Sequence, residues 1–290
     1  MFTQYFGQYL LNKGYLTPEQ LHYGLENQNN TRLKLGVLAV NAGYMTADDA
    51  ENVNEAQKRL DKRYGELAVD MGYLKEEQVE ELLSSQKVGY LLLGQALVDK
   101  EYMTLQQFEK AIGEYKKDYS VTDEEFEALK KDDIDEIINT YVKFEESKNE
   151  KVLKDYISLF ARNLIRFIDT EAVIIDVIKM EEYEGKFFAK QDIIGGVNLN
   201  TFIEADEDSY IKFAAKYAEE ELDSVDEMAE ASVGEFLNLQ NGIFIVNMSD
   251  AGIELNLTPQ ENYSNIKVTN AYVVSIGLSF GKINIIIKEA

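Results

Sequence analysis

The sequence predicts an α+β protein, with an N-terminal all-α repeat domain followed by an α+β domain whose helices lie on a largely antiparallel sheet. Three observations predict it. Glycines recur 29 residues apart at Gly7, Gly36, Gly65 and Gly94. Apolar residues then follow at mixed three- and four-residue spacing to about position 168. From 169 the pattern changes to short runs rich in Val, Ile and Phe, interrupted by one pair of helical segments.

Reading on from each repeating glycine gives GQYLLNKGYLTPEQL, GVLAVNAGYMTADDA, GELAVDMGYLKEEQV and GQALVDKEYMTLQQF. A second glycine follows seven residues later in the first three copies, with Glu101 in the fourth, and the first three copies close on Gln28, Gln57 and Gln86. Each copy reads as a short helix ended by glycine, an aromatic-aliphatic pair (Tyr15-Leu16, Tyr44-Met45, Tyr73-Leu74, Tyr102-Met103) and a capped second helix. Thr17-Pro18-Glu19-Gln20 is a specific start, with Thr at the N-cap, Pro at the first helical position and Gln at the capping-box position. Units this small cannot bury an apolar face alone, so neighbouring copies must pack together and residues 1–115 form one helical domain.

This pattern of Gly, six residues, Gly, an aliphatic position, a helix and a closing Gln resembles the MshEN family, the N-terminal domain of type II secretion and pilus ATPases. Some members bind cyclic di-GMP through motifs that open Arg-Leu-Gly. The corresponding residues here are Tyr5-Phe6-Gly7, Lys34-Leu35-Gly36, Arg63-Tyr64-Gly65 and Leu92-Leu93-Gly94. The resemblance implies cyclic di-GMP as a ligand, with Arg63 stacking on and bonding the guanine and Lys34 as a substitute lacking the planar fork. Only Arg63 supplies that guanidinium, and the residues themselves favour a helical scaffold or docking module.

Residues 116–148 read as a charged helical linker. Asp123 to Phe144 and Lys151 to Ile168 carry amphipathic helical patterns (Ile134, Ile137, Ile138, Tyr141; Ile157, Phe160, Leu164, Phe167), with a break between Lys143 and Lys151. Residues 149–290 form the second domain. Here TEAVIIDVIKM and the GGVNLNTFIEA run read as strands, followed by helices near 206–222 and 224–241. GIFIVNM, GIELNLTP, NIKVTNAYVVSIGLSF and KINIIIKE then read as strands, the last two as a hairpin about Gly281.

Composition narrows the chemistry. The 290 residues hold 53 Asp and Glu against 29 Lys and Arg, a net charge of -24 that repels phosphate backbones and argues against nucleic-acid or anionic-membrane binding. Residues 169–290 carry 8 lysines and no arginine against 23 acidic residues, so a guanidinium clamp on phosphate is absent there. No cysteine occurs, which removes disulfides and thiolate nucleophiles, and His22 is the one histidine available to any catalytic triad or imidazole site. The opening MFTQYFGQYLLNKGYL has neither a basic start nor a continuous apolar run, so the expected location is cytoplasmic, without membrane insertion.

One helix carries a candidate constellation. On a wheel of Ser224–Asn241, SVDEMAEASVGEFLNLQN, Val225, Ala229, Ser232, Val233 and Phe236 fall on the buried side. Asn238 points away from that stripe with Glu235 about sixty degrees round from it, and Ala231 and Gly234 share the exposed side. Gly242 is expected to end the helix, with GIFIV opening a strand. Glu and Asn three apart occur five times (Glu26/Asn29, Glu51/Asn54, Glu136/Asn139, Glu146/Asn149, Glu235/Asn238), so spacing alone singles out nothing.

The wider string GEFLNLQNG, in a strand, helix, helix, strand frame over roughly 150–290, resembles the CheX branch of the CheC/CheX/FliY phosphatases of the response regulator CheY. The resemblance implies that Asn238 orients water in line with an aspartyl phosphate while Glu235 pairs with the regulator's lysine. It also implies no intrinsic cofactor, Mg2+ supplied by the partner CheY-like response regulator, and a homodimer paired through sheet edges, for which KINIIIKE would offer an open strand. Ala231 stands where CheC-type members have Asp or Ser, with Ser232 one place off. Asp132/Glu136/Asn139 fits that longer pattern but is followed by TYVKF, without the glycine and strand. The competing reading is a non-enzymatic signalling or docking protein.

Overall fold

The computed structural model describes residues 1–84 and 89–290. They divide into two compact units, Met1–Asp133 and Ile134–Ala290. The boundary falls inside the 116–148 stretch: Phe126 and Leu129 are buried in the first unit, Ile137 and Ile138 in the second. Among the described residues no helix is long and apolar enough to cross a membrane.

The described residues of the first unit form helices and no strands: α1 (Phe2–Asn12), α2 (Pro18–Asn27), α3 (Leu35–Asn41), α4 (Ala47–Gln57), α5 (Tyr64–Asp70), α6 (Glu76–Ser84), α7 (Gly89–Asp99), α8 (Leu105–Asp118) and α9 (Asp123–Lys130). The first eight are the four predicted helix pairs. Thr17, Thr46 and Thr104 cap the second helix of their copies with reciprocal capping boxes. The chain turns between paired helices in the left-handed region, at Gly14 (φ 73°), Gly43 (71°) and Gly72 (77°), and the fourth copy forces Glu101 into the same conformation (59°). The aliphatic member of each pair, Leu16, Met45, Leu74 or Met103, is buried.

The repeating glycines have a different cause. A Cβ on Gly7 would meet Leu21, one on Gly65 would meet Val79 and one on Gly94 would meet Phe108, each 14 residues on and each closer than 3.0 Å. The glycine therefore lets the second helix of a pair lie against the first. In the second copy the residue 14 on is Ala50, and the space it leaves takes the hydroxyl of Tyr64 from the next copy, which donates to the Ala50 carbonyl oxygen at 3.2 Å. Gln57 bonds the carbonyl of Lys62, whereas the closing Gln86 lies outside the described residues.

The second unit opens with α10 (Ile134–Tyr141) and α11 (Glu150–Phe167), then β1 (Val173–Glu184), β2 (Phe187–Gly195), β3 (Leu199–Ala205), α12 (Glu207–Ala218), α13 (Glu227–Asp250), β4 (Leu255–Leu257), β5 (Glu261–Ser264), β6 (Lys267–Leu278) and β7 (Gly281–Glu289). The sheet runs β1-β6-β7-β3-β2-β4 with β5 also on β2, and every pairing is antiparallel. One face packs under α12 and α13. The other buries Phe188, Phe202, Val273 and Ile286, and Tyr183 of β1 reaches across it to bond Glu204 of β3 at 2.6 Å. Two strands, β6 and β7, lie along the sheet path between those two residues' elements, so the sheet curls.

Several expectations change. The Asp123–Phe144 pattern is two helices, broken where Asp132 takes a positive φ of 56°. Asp132 accepts the backbone N–H of Phe2 at 2.7 Å, so it belongs to the first unit and the Asp132/Glu136/Asn139 trio is split at the unit boundary. KINIIIKE is not an open edge: β7 lies between β6 and β3, and β1 is the long edge strand, with Ile175 and Ile178 exposed. GIFIVNM is not a strand. α13 runs straight through Gly242 because Gln240, Asn241, Phe244 and Met248 are buried at helical spacing, and the helix ends at Ala251 before Gly252 at φ 83°.

Candidate active site

α13 begins where Asp226 accepts the N–H groups of Met228 and Ala229, so Val225 precedes the helix rather than sharing its buried stripe. Ala229, Val233, Phe236 and Leu237 face inward, and Phe236 meets Phe160, Phe213 and Tyr217 edge-on. Glu235 is exposed and Asn238 half-buried, one turn apart on the same side of the helix. Ala231 is exposed as expected, but Gly234 is buried, because the loop after β4 crosses it: a Cβ there would meet Gln260 Oε1 at 2.8 Å. The same Gln260 donates from Nε2 to Glu235 Oε1 at 3.4 Å.

The floor of the site comes from β2, a strand absent from the sequence reading. Ala189, Gln191 and Ile193 alternate toward α13, which packs across them. Gln191, 3% exposed, donates from Nε2 both to Asn238 Oδ1 at 2.9 Å and to the Thr258 carbonyl oxygen at 3.0 Å. Thr258 returns the tie, its Oγ1 accepting the Asp192 N–H at 3.1 Å, so the crossing loop is pinned to β2.

Behind Gln191 lies a buried polar chain. Asn241 Nδ2 donates to Gln191 Oε1 and to Thr201 Oγ1, both at 3.0 Å. Thr201, opposite Gln191 on β3, donates to the Gln191 carbonyl oxygen at 2.6 Å. Tyr156 of α11 donates its hydroxyl to Asn241 Oδ1 at 2.8 Å, and burial raises that phenol's pKa well above its ordinary value. Gln240 accepts from Asn163 and donates to the Tyr156 carbonyl, tying α13 to α11. Every buried side-chain polar atom among the described residues finds a partner, so the chain is closed on its inner side and ends on its outer side at Asn238.

The other candidate residues lie in the first unit. Arg63, the N-cap of α5, and Lys34, the N-cap of α3, line one cavity of about 840 Å3, with Arg32, Leu35, Asn54, Gln57 and Val79. Lys34 is engaged by Asp99 at 2.5 Å, while Arg63 and Arg32 have no ion-pair partner among the described residues. Arg32 was not singled out in the sequence because it falls two residues ahead of the repeating motif.

No protein-family model matches the chain, and no curated protein matches it. Solved structures do. A chemotaxis protein CheX from Desulfovibrio desulfuricans aligns at 11% identity and a TM-score of 0.43, over 48% of this chain and 99% of that one. A CheC-like superfamily protein from Shewanella sp. PV-4 aligns at 18% identity and 0.43, over 48% and 97%. A chain of the CheX-CheY-BeF3-Mg complex from Borrelia burgdorferi aligns at 19% identity and 0.38, over 47% and 96%.

Proposed function

We propose that the second unit is a phosphatase for the aspartyl phosphate of a CheY-like response regulator, in chemotaxis or a related two-component pathway. The observation that carries the reading is the Glu235–Asn238 pair: an exposed carboxylate and a half-buried amide one turn apart on one side of α13, the amide steadied from beneath by Gln191. Acyl-phosphate hydrolysis suits so spare a site, because phosphoryl transfer depends mostly on positioning and electrostatics, and the receiver brings the Mg2+ that neutralises phosphoryl charge. Asn238 orients the attacking water, and Glu235 holds the receiver through its active-site lysine. The acidic surface of residues 169–290 favours a partner that presents positive charge.

The test follows loss of phosphate from receiver domains of the same genome in the presence of the full chain. Asn238→Ala and Glu235→Ala are expected to lengthen the phosphate lifetime relative to the parent protein. Equal lifetimes for parent, variants and no protein would leave the docking-protein reading in its place. A homodimer accompanies the proposal, paired through the β1 edge rather than β7, and a monomer in sedimentation at high concentration would remove it.

A second reading concerns the first unit: its 840 Å3 cavity binds cyclic di-GMP. It is favoured by two guanidiniums, Arg63 and Arg32, that line the same cavity without ion-pair partners among the described residues. Calorimetric titration of the full chain is expected to show binding that Arg63→Ala weakens; no heat at millimolar ligand would dismiss it.

A further inference from the structure

We infer that Gln191 is a positioning residue, which dictates the end of the Asn238 amide that faces a bound partner; the inference rests on the phosphatase reading of Asn238 for its functional half. Nothing in the orientation of an isolated asparagine amide distinguishes its oxygen from its nitrogen. Here the choice is forced in steps. The Thr258 backbone carbonyl is an acceptor only, so the end of Gln191 that faces it must be Nε2. The same Nε2 faces Asn238, whose facing atom must then be Oδ1.

A second anchor enforces the same answer from the opposite side. Gln191 Oε1 needs a donor, and Asn241 supplies Nδ2, because its own Oδ1 is occupied by the Tyr156 hydroxyl. Asn241 Nδ2 also donates to Thr201 Oγ1, whose hydroxyl donates in turn to the Gln191 backbone carbonyl, another group that only accepts. Reversing any one amide would set donor against donor or acceptor against acceptor at sites that are 0% (Asn241, Thr201) and 3% (Gln191) exposed.

The result is an Asn238 whose Nδ2 makes no hydrogen bond to the described residues and faces outward, and whose Oδ1 keeps one lone pair beyond the Gln191 bond. That is the arrangement a water-positioning amide needs. The outward N–H groups donate to a phosphoryl oxygen, and the remaining Oδ1 lone pair accepts a hydrogen bond from the attacking water. An amide free to rotate would spend half its time presenting an oxygen to an anion.

Two substitutions in the full chain test this, with a phosphorylated receiver domain as substrate. Gln191→Met keeps the volume and removes both donors; turnover is expected to fall about tenfold with KM within twofold of the parent and cooperative thermal unfolding retained. Gln191→Glu replaces the donor by an acceptor when ionised, and its turnover relative to the parent is expected to climb as pH falls from 8 to 5.5, because the protonated carboxyl donates again. A structural role alone would give no such pH-dependent rescue. Parent-like turnover in both variants would overturn the inference. Independently of any activity, selective 15N labelling of the full chain reads the orientation itself: slow hydrogen exchange at Gln191 Nε2 with fast exchange at Asn238 Nδ2 supports it, and the reverse overturns it. If Asn238→Ala leaves the phosphate lifetime unchanged, the phosphatase reading fails while the exchange measurement still decides the orientation.

Discussion

Phe108 lies directly against Gly94, so closely that a Cβ on the glycine would meet the ring's Cζ at 2.3 Å. Both are buried, and the ring cannot retreat without disturbing Tyr90 and Phe6, which pack on it. Gly94→Ala is therefore expected to destabilise the first unit by about 1–3 kcal/mol, read as a shift in its urea midpoint. Shrinking the ring with Phe108→Leu should recover part of that loss in the double variant, a coupling absent for unrelated pairs. Gly113, on α8 like Phe108 but with open space where its Cβ would stand, should behave oppositely, Gly113→Ala gaining about 1 kcal/mol.

Glu101 occupies the left-handed turn that glycine fills in the three other copies. A side chain there costs about 1–2 kcal/mol, partly offset by the smaller entropy of fixing a non-glycine residue. Glu101→Gly is expected to raise stability by roughly 0.5–1 kcal/mol. An unchanged or lower melting temperature would count against the strain.

The buried phenols set the alkaline limit. Burial holds the pKa values of Tyr156, Tyr210 and Tyr183 in the second unit, and of Tyr64 and Tyr90 in the first, far above the ordinary value. Below about pH 10 these groups are protonated whether the chain is folded or not. Above it the unfolded chain releases protons that the folded chain keeps, so stability falls as pH rises. Tyrosinate absorbance for these rings should emerge together with loss of helical signal rather than before it.

On the proposed phosphatase function, Glu235→Gln separates holding from chemistry. It keeps the shape and an acceptor for Gln260 while removing the charge. The apparent KM for the receiver is expected to rise roughly tenfold with turnover little changed, and the difference from the parent should shrink in high salt.

The repeat unit is legible in the sequence because its cause is local: a glycine, a turn residue and a capped helix at fixed offsets within 29 positions. The helix-face relation of Glu235 and Asn238 is legible for the same reason. β2 is not, because Lys190, Gln191 and Asp192 place polar residues on both faces and hide the alternation. GIFIV reads as a strand by composition, and only the burial of Phe244 and Met248 against the rest of the unit decides for helix. Gln191 could not be found from spacing, since its contact with Asn238 spans 47 residues of chain.

The continuity of α13 has a mechanical consequence. Glu235 and Asn238 stand in the middle of a 24-residue helix, with hydrogen-bonded turns on either side of both. Their axial offset of about 4.5 Å is therefore a fixed gauge, which no loop movement can widen. On the proposed phosphatase function, a receiver whose lysine and phosphate match that gauge is engaged without rearrangement of this chain, and one that does not match must itself deform. If the proposed phosphatase function holds, discrimination between receivers is written into their own active-site dimensions and measured against a ruler that does not bend.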